Sequence, residues 1–243
     1  LLAYYGCLAC ATWRTQLRWS GGRLAVVWGL ALNMGLWVSV SQRTASARWL
    51  TVDVLDVGHG DSLVIRTPGG RTLLVDAGTE EAGRYRVVPF LRRAGVRALD
   101  AFILTHPDTD HLGGAIPVLG AVRVKRLLTN GAQDDTMAFR RLEELGGRQG
   151  VGRGVLHAGM SLDDGAGIRL QVLHPPPGLI PGAAPGSNDN SLVLKVRYGD
   201  VSVLLTGDLE EAGLPWLLAQ EEPLASTVLK VPHHGSALGP AGE

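Results

Sequence analysis

The chain has 243 residues and carries 23 basic and 23 acidic side chains, so its formal net charge is zero. Five arginines and no acidic residue precede Asp53, which leaves the remainder with 23 acidic residues against 18 basic ones. This balance argues against a broadly basic surface that coats nucleic acid, although it permits a local binding site. The length allows one large domain or two small ones.

The first part of the chain is apolar. Residues 24–40 contain no charged side chain, and as a helix they would extend about 26 Å, near the lower limit for crossing a bilayer. Trp19 and Trp49 flank this stretch, as aromatic residues do at membrane interfaces. We therefore expect a membrane-spanning helix at about residues 24–41, and residues 1–11 are expected to be the partial end of an earlier one. A signal peptide or a buried helix is the alternative.

The basic residues predict an orientation for these segments. Arg14, Arg18 and Arg23 lie between the two apolar stretches, and the positive-inside rule places such a loop in the cytoplasm. Residues 1–48 are thus expected to be membrane segments of a multi-pass protein of the cell (inner) membrane. Residues 49–243 would form an extracytoplasmic domain. Because the chain begins inside an apolar segment and without Met, we expect it to be part of a longer protein.

Short β-type runs separated by glycine-rich turns dominate from Trp49 onward. Residues 174–187 are dense in proline and glycine and are expected to form a loop. Strands that arrive in hairpins with helices between them favour an α+β fold, a sandwich of mixed sheets with outer helices. The predicted strands are at 50–57, 62–67, 72–76, 98–105, 168–173, 191–196, 201–205 and 227–231, and the predicted helices are at 87–94, 134–145 and 210–220.

A dense group of metal-capable side chains follows the strand predicted at 98–105. Residues 104–114 read LTHPDTDHLGG. In an extended loop, positions two apart point the same way, so His106, Asp108 and Asp110 would converge and His111 would point toward a second centre. This pattern is consistent with ligands for two adjacent cations. The alternative is a polar loop whose histidines bond to the backbone.

Two later strands also end on metal-capable residues. VLLTGD ends on Asp208, which could bridge two cations, and LKVPHHG ends on His233 and His234. Taken alone, Asp208 could equally cap a helix and the histidines could lie in a surface loop. The coincidence of three such strand ends favours a metal centre.

These motifs resemble those of a known superfamily. THPDTDHLGG resembles the HxHxDH signature of the metallo-β-lactamase-like superfamily, and TGD at 206–208 and PHHGS at 232–236 look like its later motifs. Together with LDVGHGDS at 55–62 and NDNSLVLKV at 188–196, they look like the C-terminal domain of the ComEC family, the DNA-internalisation competence proteins. The resemblance covers residues 49–236, and the preceding apolar segments fit that family's membrane portion.

The resemblance implies a four-layer αββα sandwich and a two-metal hydrolase. In that family the domain is thought to be a nuclease that degrades the DNA strand that is not transported during transformation. The implied partners are single-stranded DNA, the membrane and the DNA-uptake machinery. The implied catalytic residues are Asp110, Asp208 and His234, with Asp208 bridging the metals. The implied metal ligands are His106, Asp108, Asp110, His111, Asp208 and His233, and His234 could exchange roles with His233 or donate a proton.

The sequence departs from the superfamily pattern at several positions. Asp108 stands in place of the second His of the signature. The third motif usually supplies a His, whereas NDNS occupies that region, which makes Asn190 a tentative ligand and His174 an alternative. Where relatives commonly have Gln, this chain has His59, so His59 and Asp61 either contact the site or form a plain turn. The chain also ends soon after PHHGS, so we expect a sandwich that is incomplete at its C-terminus.

The predicted ligands also indicate which metal ion the centre would prefer. We expect two divalent cations, with Mn²⁺ favoured and Zn²⁺ as the alternative, because an oxygen-rich ligand set suits manganese or magnesium. Arg123, Lys125 and Arg126 are either a contact for a DNA backbone or a solvated strand edge. The alternative functions are hydrolysis of a lactam, lactone or thioester, which Asp108 disfavours, and an inactive remnant or binding platform.

Overall fold

The computed structural model describes residues 27–35, 49–184 and 186–236, and the chain divides into two units, Leu1–Ser46 and Ala47–Glu243. In the first unit, residues 27–35 form a helix. The remainder of the span predicted at 24–41, and all of the segment predicted at 1–11, lie outside the described residues. Among the described residues, no helix is both long and apolar enough to cross a bilayer.

The second unit alternates short strands and helices. In chain order the strands are β1 (Thr51–Val54), β2 (Leu63–Arg66), β3 (Thr72–Val75), β4 (Ala98–Leu99), β5 (Ala101–Leu104), β6 (Arg123–Val124), β7 (Arg126–Thr129), β8 (Gly152–Val155), β9 (Ser161–Asp163), β10 (Ile168–His174), β11 (Val193–Tyr198), β12 (Val201–Leu205) and β13 (Val228–Leu229). The α-helices are α1 (Glu80–Ala82), α2 (Val88–Arg93), α3 (Thr109–Leu112), α4 (Ala115–Ala121), α5 (Met137–Arg148) and α6 (Leu214–Leu218). A π-helix, Gly83–Val87, joins α1 to α2, and short 3-10 helices occur at Asn188–Asn190 and Pro232–Gly235.

Two mixed sheets form the centre of this unit. The six-stranded sheet has the order β1-β2-β3-β5-β7-β8; it is antiparallel from β1 to β3 and parallel from β3 to β8. The five-stranded sheet has the order β13-β12-β11-β10-β9, and only its β12–β13 pair is parallel. β4 and β6 form a separate parallel pair.

The strands alternate their apolar side chains between two cores, as a strand buried on both faces requires. In β5, Ile103 packs in the core between the two sheets, whereas Phe102 and Leu104 pack beneath the helices on the outer face of the first sheet. A smaller core around Leu209 and Leu217 covers the outer face of the second sheet. The layers are therefore helix, sheet, sheet and helix, in agreement with the predicted αββα sandwich.

Several predicted elements have different bounds in the structure. The strand predicted at 98–105 is broken at Asp100 into β4 and β5, and the helix predicted at 210–220 is reduced to Leu214–Leu218, which has proline in its first turn. The helix predicted at 134–145 lies at Met137–Arg148, because Thr136 caps it through a bond from the Phe139 amide. The short elements α1, α3, β8 and β9 were not predicted.

One edge of the sandwich collects the metal-capable residues. β3 and β5 are parallel neighbours, so Asp76 after β3 lies beside Thr105 and His106 after β5. On the second sheet, β12 and β13 are also parallel neighbours, which brings the segment after β12 next to the segment after β13. The Leu192 amide donates to the Thr105 carbonyl at 3.0 Å, which joins the two sheets at this edge.

Candidate metal centre

Three buried side chains form the inner group of the candidate centre. His106, His111 and Asp208 each offer a ligand atom, and these atoms all lie within 4.8 Å of one another. Both histidines are fully buried and Asp208 is 2% exposed. The two imidazole centroids are 4.2 Å apart, and His111 Nε2 lies 3.2 Å from Asp208 Oδ2. Two imidazoles and a carboxylate that converge in this way can hold a divalent cation.

A second, outer group lies toward the solvent. His59, Asp110 and His234 also bring ligand atoms within 4.8 Å of one another. Asp110 Oδ2 is 3.4 Å from His59 Nε2 and 3.9 Å from His234 Nε2. His234 Nε2 lies 3.0 Å from Asp208 Oδ2, the same oxygen that faces His111. Asp208 therefore stands between the inner and outer groups, where one carboxylate can serve two cations.

Asp76 fixes the inner histidines, and the sequence analysis missed it. It is fully buried and accepts three bonds: from the Thr105 amide at 2.8 Å, the Thr105 hydroxyl at 2.7 Å and His111 Nδ1 at 2.9 Å. Its backbone is left-handed, with φ of 53°. The signal in the sequence is an aspartate directly after an apolar run, a position that the pattern predicts only as the end of the strand at 72–76.

The hydrogen bonds also set the tautomer of His106. The Thr105 hydroxyl has one proton, which it donates to Asp76, so His106 Nδ1, 3.0 Å from that oxygen, must be the donor of their bond. The lone pair of His106 is then on Nε2. Within the described part of the chain this buried nitrogen has no hydrogen-bond partner. An unpaired nitrogen in a buried cluster of this composition fits a metal ligand.

The charges of the inner group support the same assignment. Burial alone lowers the pKa of His111, but the carboxylates of Asp76 and Asp208 outweigh burial and raise it to about 10. Burial raises the pKa of Asp208, but its bond to His111 and the charges of His111 and Lys230 outweigh burial and hold that pKa well below its usual range. Asp208 is therefore a carboxylate, and a cation at His111 Nε2 would take the place of a proton.

The turn after β5 differs from the extended loop that we expected. α3 begins at Thr109, with Asp108 as its extended N-cap residue, so Asp110 and His111 lie on a helical turn. The structure therefore groups His106 with His111 and places Asp110 in the outer group, so the expected row of His106, Asp108 and Asp110 is wrong. Asp108 is outside both groups: its side chain is half exposed, and Oδ2 is 3.7 Å from His106 Nε2.

The paired histidines have different surroundings. His234 joins the outer group, whereas His233 Nδ1 lies 2.9 Å from Glu210 Oε1 and His233 belongs to none of the clusters found among the described residues. Both residues have left-handed backbone, with φ of 45° and 54°. This turn directs the two rings apart, and their planes are 68° from parallel.

The third-motif candidates lie beside the centre. Asn190 is buried, and its side chain accepts from the Ile180 amide at 2.9 Å and donates to the Ala184 carbonyl at 3.0 Å, which braces the proline-rich loop. His174 is also buried and donates from Nδ1 to the Ser191 carbonyl at 2.8 Å. His174 belongs to none of the metal-capable His, Asp and Glu clusters among the described residues.

The loop that carries His59 and Asp61 contacts the centre directly. At Gly60, with φ of 94°, an added Cβ would lie 1.9 Å from the Asp110 carbonyl oxygen, so only glycine allows this approach. Asp61 forms a further metal-capable group with Asp208 and His234. Of the two interpretations left open for this loop, the geometry supports contact with the site.

The basic cluster does not share this edge. Arg123 and Arg126 are the first residues of β6 and β7, whereas Thr129 at the end of β7 pairs with Leu104 beside the centre. Lys125 Nζ is bonded to Asp100 Oδ1 at 2.6 Å. These side chains therefore lie at the opposite end of the sheet, as a solvated strand edge.

Comparison with known proteins identifies the fold and the family. The model of the metallo-beta-lactamase superfamily matches residues 55–241. The chain is 34% identical to ComE operon protein 3 of Bacillus subtilis over 79% of this chain and 26% of that protein. It is 31% identical to competence protein ComA of Neisseria gonorrhoeae over 88% of this chain and 28% of that protein. It is 32% identical to recombination protein 2 of Haemophilus influenzae over 76% of this chain and 21% of that protein.

The matched part of these relatives is limited, since the chain spans only about a quarter of their length. The superfamily model, by contrast, matches a range that runs from the loop after β1 past the paired histidines, and so includes every residue of the inner and outer groups. The chain belongs to the metallo-β-lactamase superfamily and, within it, to the ComEC family of competence proteins.

Proposed function

We propose that this domain is a metal-dependent phosphodiesterase, a deoxyribonuclease that degrades the non-transported strand during DNA uptake. The observation that carries the proposal is the arrangement of Asp208 between two histidine–aspartate groups at one edge of the sandwich. One relative is named a competence protein and another a recombination protein, and these names support DNA as the substrate. We further propose that residues 1–48 anchor the domain at the cell membrane, on the extracytoplasmic side and beside the uptake machinery.

The ligands proposed for the inner cation are His106, His111 and Asp208, and those proposed for the outer cation are Asp110, His234 and Asp208, with His59 and Asp108 at the rim. When bound, two such cations lower the pKa of a water molecule and stabilise the attacking and leaving oxygens of a phosphodiester. Asp76 and Thr105 orient the inner imidazoles so that both Nε2 atoms face the centre. Two residues of the predicted ligand set are left out of this proposal. His234 takes the place of His233, and the Asn190 side chain is bonded to backbone groups of the proline-rich loop.

The exposure of the two groups suits a polymeric substrate. The inner residues are closed off from solvent, whereas the His59 side chain is 78% exposed and the side chains of Asp110 and His234 are 20% and 23% exposed. A DNA backbone can therefore reach the outer group without entering the core. His234 faces this open side, where the alternative to binding the outer cation is to donate a proton to a leaving oxygen.

The first prediction tests nuclease activity. We expect the purified chain to cleave end-labelled single-stranded DNA with Mn²⁺, and Asp110→Ala to lower the rate by at least about 100-fold, because it removes a ligand of the outer group. The control is Asp163→Ala, an exposed residue of β9 outside both groups. Equal cleavage by Asp110→Ala, or hydrolysis of a lactam or thioester but not of DNA by the folded chain, would contradict the proposal.

The second prediction concerns the metal. Asp110 and Asp208 each supply a carboxylate, and Asp61 and Asp108 lie adjacent. Such oxygen donors favour manganese, and the proposed ligands include no thiolate, which would favour zinc. We expect a faster cleavage rate with Mn²⁺ than with Zn²⁺ when each ion is added to the chain after removal of metals by a chelator. The measurement is the initial rate at matched ion occupancy. Equal or faster cleavage with Zn²⁺ would rule out the preference.

A further inference from the structure

A lysine lies against the candidate centre, and neither the sequence motifs nor the proposed ligand set accounts for it. Lys230 follows β13, and its side chain is only 14% exposed. Its backbone is fixed to the neighbouring β12 segment, because its amide donates to the Leu204 carbonyl at 2.9 Å and its carbonyl accepts from the Thr206 hydroxyl at 2.8 Å. The origin of the side chain is thus held in place at the edge where Asp208 lies.

The ammonium group of Lys230 has three oxygen partners. It donates to the Gly207 carbonyl at 2.7 Å, lies 3.4 Å from Asp208 Oδ1 and is in direct contact with Asp61 Oδ2. The side chains of these two aspartates are 13% and 3% exposed, so the ion pairs are largely shielded from water. The hydrogen bond and the ion pairs together therefore fix the position of the Lys230 ammonium group.

The two oxygens of Asp208 consequently face different partners. Oδ2 faces the imidazoles, at 3.2 Å from His111 Nε2 and 3.0 Å from His234 Nε2. Oδ1 faces Lys230 on the other side. The lysine therefore fixes the plane of the carboxylate with one oxygen directed at both histidine–aspartate groups.

Asp61 completes the arrangement from a different loop. Its Oδ1 lies 3.5 Å from His234 Nδ1, while its other oxygen contacts Lys230. Its backbone is tied to the segment after β3 by the bond from the Gly78 amide to its carbonyl at 2.8 Å. Asp61 thus acts on the ring nitrogen of His234 that does not face Asp208.

We propose that Asp61 and Lys230 form a positioning pair: Lys230 orients Asp208, Asp61 orients His234, and together they aim both ligands at the outer cation. The inference rests on the proposed metal centre. A lysine beside two cations repels them, and Asp61 offsets this repulsion by its negative charge. Because the two charges offset each other, the pair favours ion binding through the orientation of the ligands and not through its charge.

The test measures Mn²⁺ binding by the full chain, with free Mn²⁺ quantified by electron paramagnetic resonance. We expect Lys230→Met to weaken binding of one of two ions by about 10- to 100-fold, and Lys230→Arg to retain most of the affinity. Two Mn²⁺ ions that share a carboxylate give an exchange-coupled spectrum, and we expect Lys230→Met to lose that coupling. The control is Lys125→Met, which breaks the pair with Asp100 away from the centre.

A double variant that removes both charges of the pair controls for misfolding. Lys230→Met alone leaves Asp61 without its cation, so Asp61→Asn with Lys230→Met is measured alongside it, with thermal unfolding as a check of folding. We expect the double variant to fold and still to lose the coupled spectrum. Unchanged or tighter binding of both ions by Lys230→Met, or a wild-type chain that binds no ion pair, would overturn the inference. A wild-type chain that binds a coupled pair but cleaves no DNA would instead overturn only the proposed function.

Discussion

Asp208→Asn is expected to abolish DNA cleavage, with a loss of at least about 1,000-fold in rate, because the proposed centre uses this carboxylate for both cations. Its Oδ2 lies within 3.2 Å of His111 Nε2 and 3.0 Å of His234 Nε2. An amide has nearly the same shape but no negative charge, so it neither balances two cations nor bridges them. The effect should therefore exceed that of Asp110→Ala, which acts on the outer group alone.

The measurement combines activity with ion stoichiometry. Asp208→Asn should bind fewer than two Mn²⁺ ions per chain under conditions in which the wild-type chain binds two, while its far-ultraviolet circular dichroism stays unchanged. Asp200→Asn is the matched control, because that aspartate is exposed in the turn between β11 and β12. If Asp208→Asn kept two ions and a wild-type rate, the shared carboxylate would not be the centre of the site.

The convergence of the site residues was predictable because strand ends carry them. His106 follows β5, which reads AFIL, and Asp208 closely follows β12, which reads VSVLL, and both strands are predicted from their apolar side chains. Within each sheet the parallel pairs β3–β5 and β12–β13 bring their carboxyl ends to the same edge, and the bond from the Leu192 amide to the Thr105 carbonyl joins the two edges. Motifs at those ends therefore predict a single site.

The orientation of individual side chains was not predictable in the same way. Asp110 and His111 are adjacent in sequence, and the group that each one joins depends on whether the chain after Pro107 is extended or helical. α3 is a single turn whose first residue is Thr109, too short for a periodic pattern to reveal it. The choice between His233 and His234 likewise depends on two left-handed residues in succession, a backbone that local sequence does not favour outside glycine.

Tertiary contacts also decided the remaining elements. Strands β2, β5, β11 and β12 were found from their apolar runs, whereas β8 reads GRGV and β9 reads SLD, which have no β-type pattern. They are strands because β7 and β10 pair with them at the sheet edges. Asp76 was missed for a related reason: its partners, Thr105 and His111, lie 29 and 35 residues further along the chain.

Asp76→Ala is expected to destabilise the domain by about 3–5 kcal/mol, because it leaves His111 and the Thr105 amide without their buried partner. The loss should be measured as the free energy of unfolding in denaturant without added metal, where the effect on ion binding does not contribute. Asp76 is fully buried, so solvent cannot replace the missing carboxylate. A loss below about 1 kcal/mol would mean that His111 is held by other contacts.

Asp76→Asn separates the stability of the fold from the orientation of the metal ligands. Asparagine tolerates the left-handed backbone at this position and still accepts from the Thr105 amide, so its cost in stability should be smaller, about 1–3 kcal/mol. It lacks the charge that holds His111 Nδ1, so Mn²⁺ affinity should still fall by about 10- to 100-fold. If Asp76→Asn bound Mn²⁺ as tightly as the wild-type chain, the carboxylate of Asp76 would stabilise the fold without contributing to metal binding. Weak binding by a stable variant would instead show that the carboxylate behind the imidazole belongs to the metal centre.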